Sequence, residues 1–204
     1  MIRVLAVDDH AVVRDGIARL IATQPDMELV ADAADGREAI EQFRKHHPDV
    51  TLMDLQMPAM SGIDAIGAIR GEFPQARIIV LTTYSGDVQI TRALKAGAQG
   101  YLLKGSLRKE LLETIRAVHS GHKRLSPEVT AEIAEHVTND TLTPREISVL
   151  KLIAAGNTNK EIAAQFSLTE DSVKGFVKHI LAKLDANDRT HAVTIGLKRG
   201  IIDL

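Results

Sequence analysis

The sequence predicts an α/β doubly wound domain built on a five-stranded parallel sheet, followed by a small all-α domain. Two observations support this fold class. Short apolar runs alternate with segments of helical periodicity through the first 120 residues, which is the pattern of βα repeats that place helices on both faces of a parallel sheet. Beyond residue 140 there are no strand-like runs, and only helical patterns remain.

Five short apolar runs are the predicted strands, because parallel strands covered on both faces are apolar along most of their length. They are Ile2–Val7, Leu29–Ala33, Val50–Met53, Ile78–Leu81 and Tyr101–Leu103. Between them apolar residues recur at helical spacing, as at Leu111, Ile115 and Val118. Residues 1–121 therefore predict five βα repeats with a binding crevice beyond the carboxyl ends of the strands.

Residues 122–140 are predicted to be a linker that contains one short helix. A polar stretch leads to Ser126 and Pro127, which form an N-cap followed by proline in the first turn. The helix is expected to end near Val137.

Residues 141–204 contain four helical stretches with clear starting signals. Thr143 to Glu146 and Thr158 to Glu161 have the form of capping boxes, Thr169 caps the third helix and Asn187 the fourth. Only about three residues separate the second helix from the third. This short connection is typical of a helix-turn-helix.

Composition excludes several classes of site and protein. The 204 residues are 45% apolar and 25% charged, with no Cys, so disulfides, thiolate zinc sites and cysteine nucleophiles are absent. No apolar run approaches the roughly 20 residues that span a bilayer, and no secretion signal opens the chain, so a cytoplasmic protein without membrane contact is expected. From residue 141 onward nine Lys and Arg face seven acidic residues, which gives weak support for binding nucleic acid.

Acidic residues follow two of the predicted strands. Asp8 and Asp9 come directly after the first strand and Asp54 directly after the third. Because parallel strands share one carboxyl edge, these three carboxylates are expected to converge there. Their mutual repulsion favours a divalent cation with oxygen preference, and we expect Mg²⁺.

Two further strand ends carry groups that bind phosphoryl oxygens. Thr82 follows the fourth strand and Lys104 the fifth, and a hydroxyl and an ammonium can stabilise a phosphoryl group on Asp54. The set indicates acyl-phosphate chemistry, with Asp54 as nucleophile, Mg²⁺ as Lewis acid and Lys104 as charge stabiliser.

These motifs together resemble a known family. The elements Val7-Asp8-Asp9, Met53 to Pro58 with Gly62, Leu81-Thr82-Thr83 and Gly100 to Lys104 closely resemble the flavodoxin-like receiver domain of bacterial two-component response regulators. Leu142 to Glu146, Asn159 to Ala163 and Ser172 to Lys174 resemble a LuxR-type helix-turn-helix. The whole chain is thus similar to the NarL/FixJ class.

The resemblance implies roles for individual residues. Asp54 would accept a phosphoryl group from the phosphohistidine of a sensor histidine kinase. Asp9, Asp54 and the backbone carbonyl of Gln56 would ligate Mg²⁺, and Asp8 would act largely through water. Thr82 and Tyr101 would form a switch pair, in which the hydroxyl moves toward the phosphate and the ring turns into the vacated space.

The third C-terminal helix is the predicted DNA-reading element. Val173, Val177, Ile180, Leu181 and Leu184 form an apolar stripe for the core. The opposite side carries four candidate DNA contacts, Lys174, Gly175, Lys178 and His179. The two lysines can reach phosphates or guanine acceptors of duplex DNA, and the resemblance places both among the contacts.

One such domain offers few DNA contacts, so a homodimer on paired half-sites is expected when the protein is phosphorylated. The last helix is the usual dimer element of the family. Ala192 and Ile195 are candidates for that interface, but packing in the domain core explains them equally well.

Two other functions are compatible with parts of this pattern. A Mg²⁺-dependent phosphatase would also use Asp54 as nucleophile, but such enzymes carry a second acid two positions later, where this chain has Gln56. A constitutive DNA-binding protein with an unused receiver is the second alternative. The favoured interpretation is a phosphorylation-controlled transcription regulator that is not an enzyme.

Overall fold

A computed structural model describes residues 1–83, 87–127, 129–130 and 142–202. The chain divides into two compact units, the first within residues 1–131 and the second mainly formed by residues 132–204. The start of the predicted linker helix is described, and there Ser126 Oγ accepts a hydrogen bond from the Val129 N–H at 3.4 Å. Its predicted end near Val137 and the predicted boundary at residues 140 and 141 lie outside the described residues.

The first unit contains one parallel sheet with strand order β2-β1-β3-β4-β5-β6. Its strands are β1 (Ile2–Val7), β2 (Met27–Ala33), β3 (Val50–Asp54), β4 (Ile78–Thr82), β5 (Gly100–Leu103) and β6 (Arg124–Leu125). Every residue of β3 and β4 is buried, which explains why both strands are largely apolar. The five predicted strands and the doubly wound architecture are confirmed.

Five α-helices connect these strands. They are α1 (Ala11–Ala22), α2 (Gly36–His46), α3 (Gly62–Glu72), α4 (Asp87–Ala96) and α5 (Leu107–His119), the last preceded by a 3₁₀ turn at Lys104–Ser106. Helix α1 contacts α5, and α2 contacts α3. The core between the sheet and the α1–α5 layer includes Ile17 and Ile21 of α1 and Leu111 and Ile115 of α5.

The order of the strands determines where the crevice lies. After β1 the chain adds β2 on one side of β1 and then returns to place β3 on the other side. Such a reversal leaves an open crevice between the carboxyl ends of the two strands concerned. Here those strands are β1 and β3, whose ends carry the acidic residues.

Between residues 142 and 202, the described secondary structure of the second unit consists of helices joined by short turns. Its helices are α6 (Pro144–Ala154), α7 (Asn159–Phe166), α8 (Glu170–Lys183) and α9 (Arg189–Lys198). Both predicted capping boxes are formed. In each, the Thr hydroxyl accepts a hydrogen bond from the Glu N–H, and the Glu carboxylate accepts one from the Thr N–H. The predicted short connection between α7 and α8 is also present.

Two details differ from the predictions. Residues 124–125, expected within a polar linker, form the sixth strand beside β5, because two residues are too few to produce a recognisable alternation. The N-cap of α9 is Asp188 rather than Asn187, since the Asp188 carboxylate accepts the hydrogen bond from the His191 N–H at 2.8 Å. Of the two candidates for the dimer interface, Ala192 is buried in the core of the second unit and Ile195 packs against that core, as the packing alternative expected.

No helix within the described ranges is both long enough and apolar enough to span a membrane.

Candidate functional site

The carboxyl ends of four strands bring the predicted pocket residues together. Asp8 and Asp9 follow β1, Asp54 is the last residue of β3, Thr82 is the last of β4 and Lys104 follows β5. These strands are hydrogen-bonded neighbours in the sheet, so residues far apart in sequence lie at one edge. Asp8, Asp54 and Thr82 are buried.

Lys104 is the cation at the centre of this pocket. Its Nζ lies 2.7 Å from Asp8 Oδ2 and 2.8 Å from Asp54 Oδ2. Only 12% of the Lys104 side chain is exposed, and the two carboxylates are 0% and 4% exposed. Ion pairs that are shielded from water are strong only while both partners are present. Lys104 therefore holds two carboxylates that would otherwise be buried without a counterion.

Burial and charge have opposing effects on the pKa values in the pocket. Burial raises the pKa of Asp54, although hydrogen bonding and the positive charge of Lys104 act in the opposite direction. Burial alone would lower the pKa of Lys104, but hydrogen bonds and charge interactions with Asp54 and Asp8 outweigh it, so this pKa is raised. Lys104 therefore stays protonated at neutral pH.

Four ligand groups surround the position that a metal ion would occupy. One ligand atom from each of Asp8, Asp9, His10 and Asp54 lies within 4.8 Å of the others. Carboxylate oxygens are the ligands that Mg²⁺ prefers, and three carboxylates exceed the single positive charge of Lys104. The donor types and the charge balance thus fit a divalent cation.

Gln56 follows this carboxylate set on the loop after β3. Its backbone N–H donates to Asp54 Oδ1 at 3.3 Å. The loop is also fixed at its other end, where the N–H of Gly62 donates to the carbonyl of Leu55 at 3.0 Å. An added Cβ at Gly62 would lie 1.9 Å from the carbonyl oxygen of Asp54, so only glycine allows this close approach.

His10 belongs to this cluster although the sequence analysis gave it no role. Its Nδ1 lies 2.6 Å from Asp9 Oδ1 and 3.3 Å from Asp8 Oδ1, and its backbone N–H donates to Asp8 Oδ1 at 2.9 Å. The available signal was its position directly after the acidic pair, in the turn that leads into α1. A histidine at this point of the sequence does not by itself indicate whether its side chain joins the acidic cluster or is an ordinary exposed residue.

Thr82 and Tyr101 occupy neighbouring strands near the pocket. Both side chains are buried, and Tyr101 is completely inaccessible to solvent. Burial raises the pKa of the Tyr101 phenol, an effect that the neighbouring Thr82 side chain partly offsets. The aromatic ring is thus enclosed in the domain, on the strand next to the residue that was predicted to be its switch partner.

Helix α8 presents two distinct sides. Val173, Ile180 and Leu184 are buried in the core of the second unit, while Phe176, Val177 and Leu181 pack against it. The four predicted contact residues, Lys174, Gly175, Lys178 and His179, are exposed. The amphipathic pattern of this helix is therefore confirmed, and the predicted reading face is accessible.

The two lysines of this face have different surroundings. Lys174 Nζ lies 3.0 Å from Asp171 Oδ1 and 3.6 Å from Glu170 Oε1. The hydrogen bond to Asp171 raises the pKa of Lys174. Among the residues that the structure describes, no carboxylate forms an ion pair with Lys178. Lys178 is thus the lysine of this face whose charge no described carboxylate neutralises.

A buried carboxylate connects α8 to α6. Glu146 is only 4% exposed, and its Oε2 accepts from the Thr143 N–H at 2.7 Å and from Lys183 Nζ at 2.9 Å. Lys183 is the last residue of α8. Glu146 therefore closes the capping box of α6 and also fixes the end of the candidate reading helix.

Comparison with known proteins identifies two matching families along the chain. Residues 4–116 match the response regulator receiver domain, and residues 140–195 match the bacterial regulatory proteins of the luxR family. An uncharacterized transcriptional regulatory protein of Bacillus subtilis, YhcZ, is 42% identical over 96% of this chain and 95% of its own length.

Two further relatives cover nearly all of the chain. The transcriptional regulatory protein LiaR of Bacillus subtilis is 38% identical over the whole of both chains. A solved structure of two RcsB dimers bound to two parallel DNAs is 25% identical, with a TM-score of 0.74 over 97% of this chain and 98% of that one.

Proposed function

The chain belongs to the bacterial response regulators that join a receiver domain to a LuxR-family DNA-binding domain, and from this premise we propose that Asp54 is its phosphorylation site. The observation that carries the proposal is the contact of Lys104 with both Asp54 and Asp8. A cation at that position can stabilise negative charge added to Asp54. A sensor histidine kinase would be the donor, and phosphorylation would control binding to promoter DNA.

The reaction at Asp54 is a phosphoryl transfer. A carboxylate oxygen of Asp54 forms a bond to phosphorus while the bond between phosphorus and the imidazole nitrogen of the donor breaks. The electron pair of that bond remains on the imidazole, which then takes a proton. Positioning and charge stabilisation account for most of the rate in such reactions, and Lys104 and the Thr82 hydroxyl supply both functions for the phosphoryl oxygens.

Asp9, Asp54 and the carbonyl of Gln56 would hold Mg²⁺, with Asp8 acting through water. When bound, the ion supplies positive charge that offsets the added phosphoryl oxygens. Lys104 can exchange Asp54 for the phosphoryl group as its partner while it remains bound to Asp8. This exchange keeps the buried ammonium paired throughout the reaction.

Thr82 and Tyr101 would transmit the change. Movement of the Thr82 hydroxyl toward the phosphoryl group would alter the space beside Tyr101, and the position of the ring would report the state of Asp54. Such a pair is a two-state element that a local change of charge can bias.

The exposed side of α8 would read duplex DNA in the major groove. Lys174, Gly175, Lys178 and His179 form this face, and the helix is firmly packed through its apolar stripe. A homodimer would place two such helices on paired half-sites. The dimeric, DNA-bound state described for RcsB supports this arrangement.

The proposed organisation is a receiver at residues 1–121, a linker at 122–140 and a DNA-binding domain at 141–204, all in the cytoplasm. We do not propose an enzymatic activity toward phosphomonoesters. Gln56 stands where a phosphatase would need its second acid, and the attached DNA-binding domain has no use in such a reaction.

The test is phosphorylation with acetyl phosphate and Mg²⁺, followed by intact mass. The wild-type chain should gain one phosphoryl group, Asp54→Asn should gain none, and the exposed control Asp15→Asn should behave as the wild type. Duplex binding should then differ between phosphorylated wild type and Asp54→Asn. Labelling of Asp54→Asn would refute the acceptor. Labelling without any change in DNA binding would favour the constitutive alternative, and turnover of a phosphomonoester would favour the phosphatase.

A further inference from the structure

Gly175 has no structural reason to be glycine. It lies in the interior of α8 and is exposed, and an added Cβ would meet no atom within 4 Å. Its backbone does not adopt the positive φ that favours glycine. Glycine in a helix interior nevertheless shifts the folding equilibrium unfavourably by roughly fivefold relative to alanine. Nothing in the surroundings of Gly175 within the described part of the protein offsets this loss.

The position of Gly175 indicates what the missing side chain allows. It lies between Lys174 and Lys178 on the exposed side of the helix that we propose as the DNA reader. A bare stretch of helix between two lysines can approach the bases more closely than one that carries a side chain. The lysines can meanwhile reach phosphates or base edges on either side.

The chemistry of a bare helix segment limits what it can contact. Gly175 has no side-chain donor or acceptor, and helical hydrogen bonds occupy the backbone N–H and C=O groups of a residue in the helix interior. A polar base edge pressed against it would lose water without gaining a hydrogen bond, which is unfavourable. The 5-methyl group of thymine is the largest apolar group that bases present in the major groove, and it suffers no such loss.

On the basis of the proposed DNA-binding function, we propose that Gly175 is a specificity-determining residue that makes room for the 5-methyl group of a thymine in each half-site. Gly175 selects this base by shape and by apolar contact rather than by hydrogen bonding. A side chain at this position would occupy the space of the methyl group.

The experiment begins with selection of bound sequences from random duplexes by the phosphorylated full-length protein. Each thymine of the selected half-site is then replaced in turn by deoxyuridine, which lacks only the 5-methyl group. One replacement should weaken wild-type binding by about threefold to tenfold, the range expected for one buried methyl group. The same measurements are made with Gly175→Ala.

Gly175→Ala should bind the thymine duplex about tenfold more weakly than the wild type, because the added Cβ overlaps the methyl group and the favourable apolar contact is lost. At the one sensitive position, it should bind the deoxyuridine duplex more tightly than the thymine duplex, because the absence of the methyl group relieves the overlap with the added Cβ. The variant should also be more stable to heat. Gly67→Ala is the matched control, since Gly67 is an exposed residue inside α3 whose added Cβ would also meet nothing within 4 Å; it should gain stability without a change in DNA binding.

The outcomes separate this inference from the function on which it rests. Failure of the phosphorylated wild type to select any duplex would overturn the proposed function itself. Selective binding by the wild type with no sensitive thymine, or equal binding by Gly175→Ala, would overturn only the role of Gly175. If Gly175→Ala loses the same factor in affinity for thymine and deoxyuridine duplexes at every position, the added Cβ crowds the DNA in general. That result would also overturn the proposed role of Gly175.

Discussion

The pocket at the sheet edge and the reading face of α8 use charged residues in opposite ways. In the pocket, Asp8, Asp54 and Lys104 come from strand ends that are far apart in sequence, and all three are largely removed from water. On α8, Lys174 pairs with Asp171 and Glu170 of the same helix, and all three side chains are at least half exposed.

This difference determines how each region responds when a partner is lost. A buried charge that loses its partner is strongly destabilised, whereas an exposed ion pair contributes little because water replaces the partner. The pocket therefore suits a switch, in which adding a charge to Asp54 forces its neighbours to rearrange. The α8 face suits reversible binding, in which lysines exchange carboxylates or water for phosphates at little cost.

The largest expected effect follows from removing the cation of the pocket. Lys104→Met should lower the rate of phosphorylation by about 100-fold or more, the loss typical of one preorganised charge-stabilising group. The same change should raise the affinity for Mg²⁺, since three carboxylates then lack their positive partner. Intact mass against time and titration calorimetry measure the two effects.

Lys45→Met is the control, because Lys45 is exposed in the last turn of α2, away from the pocket. It should leave both quantities unchanged. An unaltered phosphorylation rate in Lys104→Met would contradict the role of Lys104, and a weakened affinity for Mg²⁺ would contradict the charge balance of the pocket.

Within the DNA-binding unit, Glu146 and Glu161 close the same type of capping box. Glu146 is buried and also binds Lys183, whereas Glu161 is exposed. Glu146→Ala should lower the free energy of unfolding of this unit by about 1–3 kcal/mol, because the Thr143 N–H and the Lys183 ammonium lose their acceptor. Glu161→Ala should have a smaller effect.

Amide hydrogen exchange in the full-length chain measures both losses, because slowly exchanging amides of α6 and α8 report the stability of that unit. Equal losses in the two variants would show that burial of Glu146 adds nothing to an ordinary helix cap.

The pH dependence provides an independent check on Glu146. Burial alone would raise the pKa of Glu146, but hydrogen bonds from Thr143 and Lys183 outweigh it, so the folded-state pKa lies below the ordinary 4.5. The stabilisation is therefore complete above about pH 4.5 and is lost as the pH falls through the lower folded-state value. Glu146→Gln should lose this part of the acid sensitivity, and a wild-type acid profile in that variant would contradict the assignment.

The pocket was largely predictable from sequence because it depends on topology. Once the alternating pattern identified five parallel strands, Asp8, Asp54, Thr82 and Lys104 had to share one edge. The bridging position of Lys104 between two carboxylates, and the presence of His10 beside them, depend on side-chain conformations that strand order does not determine.

The strand β6 was missed for a different reason. Arg124 and Leu125 have no alternation to detect, and they pair with β5 only after the rest of the sheet exists. The reading face of α8 was predictable as a helix side. The spacing of Glu170, Asp171 and Lys174 permits ion pairs, but sequence alone does not decide whether a flexible lysine pairs with them or with water.

The smallest expected effect distinguishes the two lysines of α8. Lys178→Ala should reduce the slope of log affinity against log salt concentration by about 0.9, the value for loss of one phosphate contact. Lys174→Ala should reduce the slope by less, because Lys174 already pairs with Asp171 and releases fewer ions from DNA. Fluorescence anisotropy with the selected duplex over a series of KCl concentrations gives both slopes.

Asp171→Asn tests the reason for that difference. Without the carboxylate at 3.0 Å, Lys174 should become available to a phosphate, so the salt slope should become steeper and affinity for random-sequence duplexes should rise severalfold by the same ion-release argument. In the double variant with Lys174→Ala the steepening should disappear, since no lysine is then released. If Asp171→Asn steepens the slope equally with and without Lys174, the carboxylate acts by direct repulsion of DNA, and the α8 lysines differ for a reason other than their pairing.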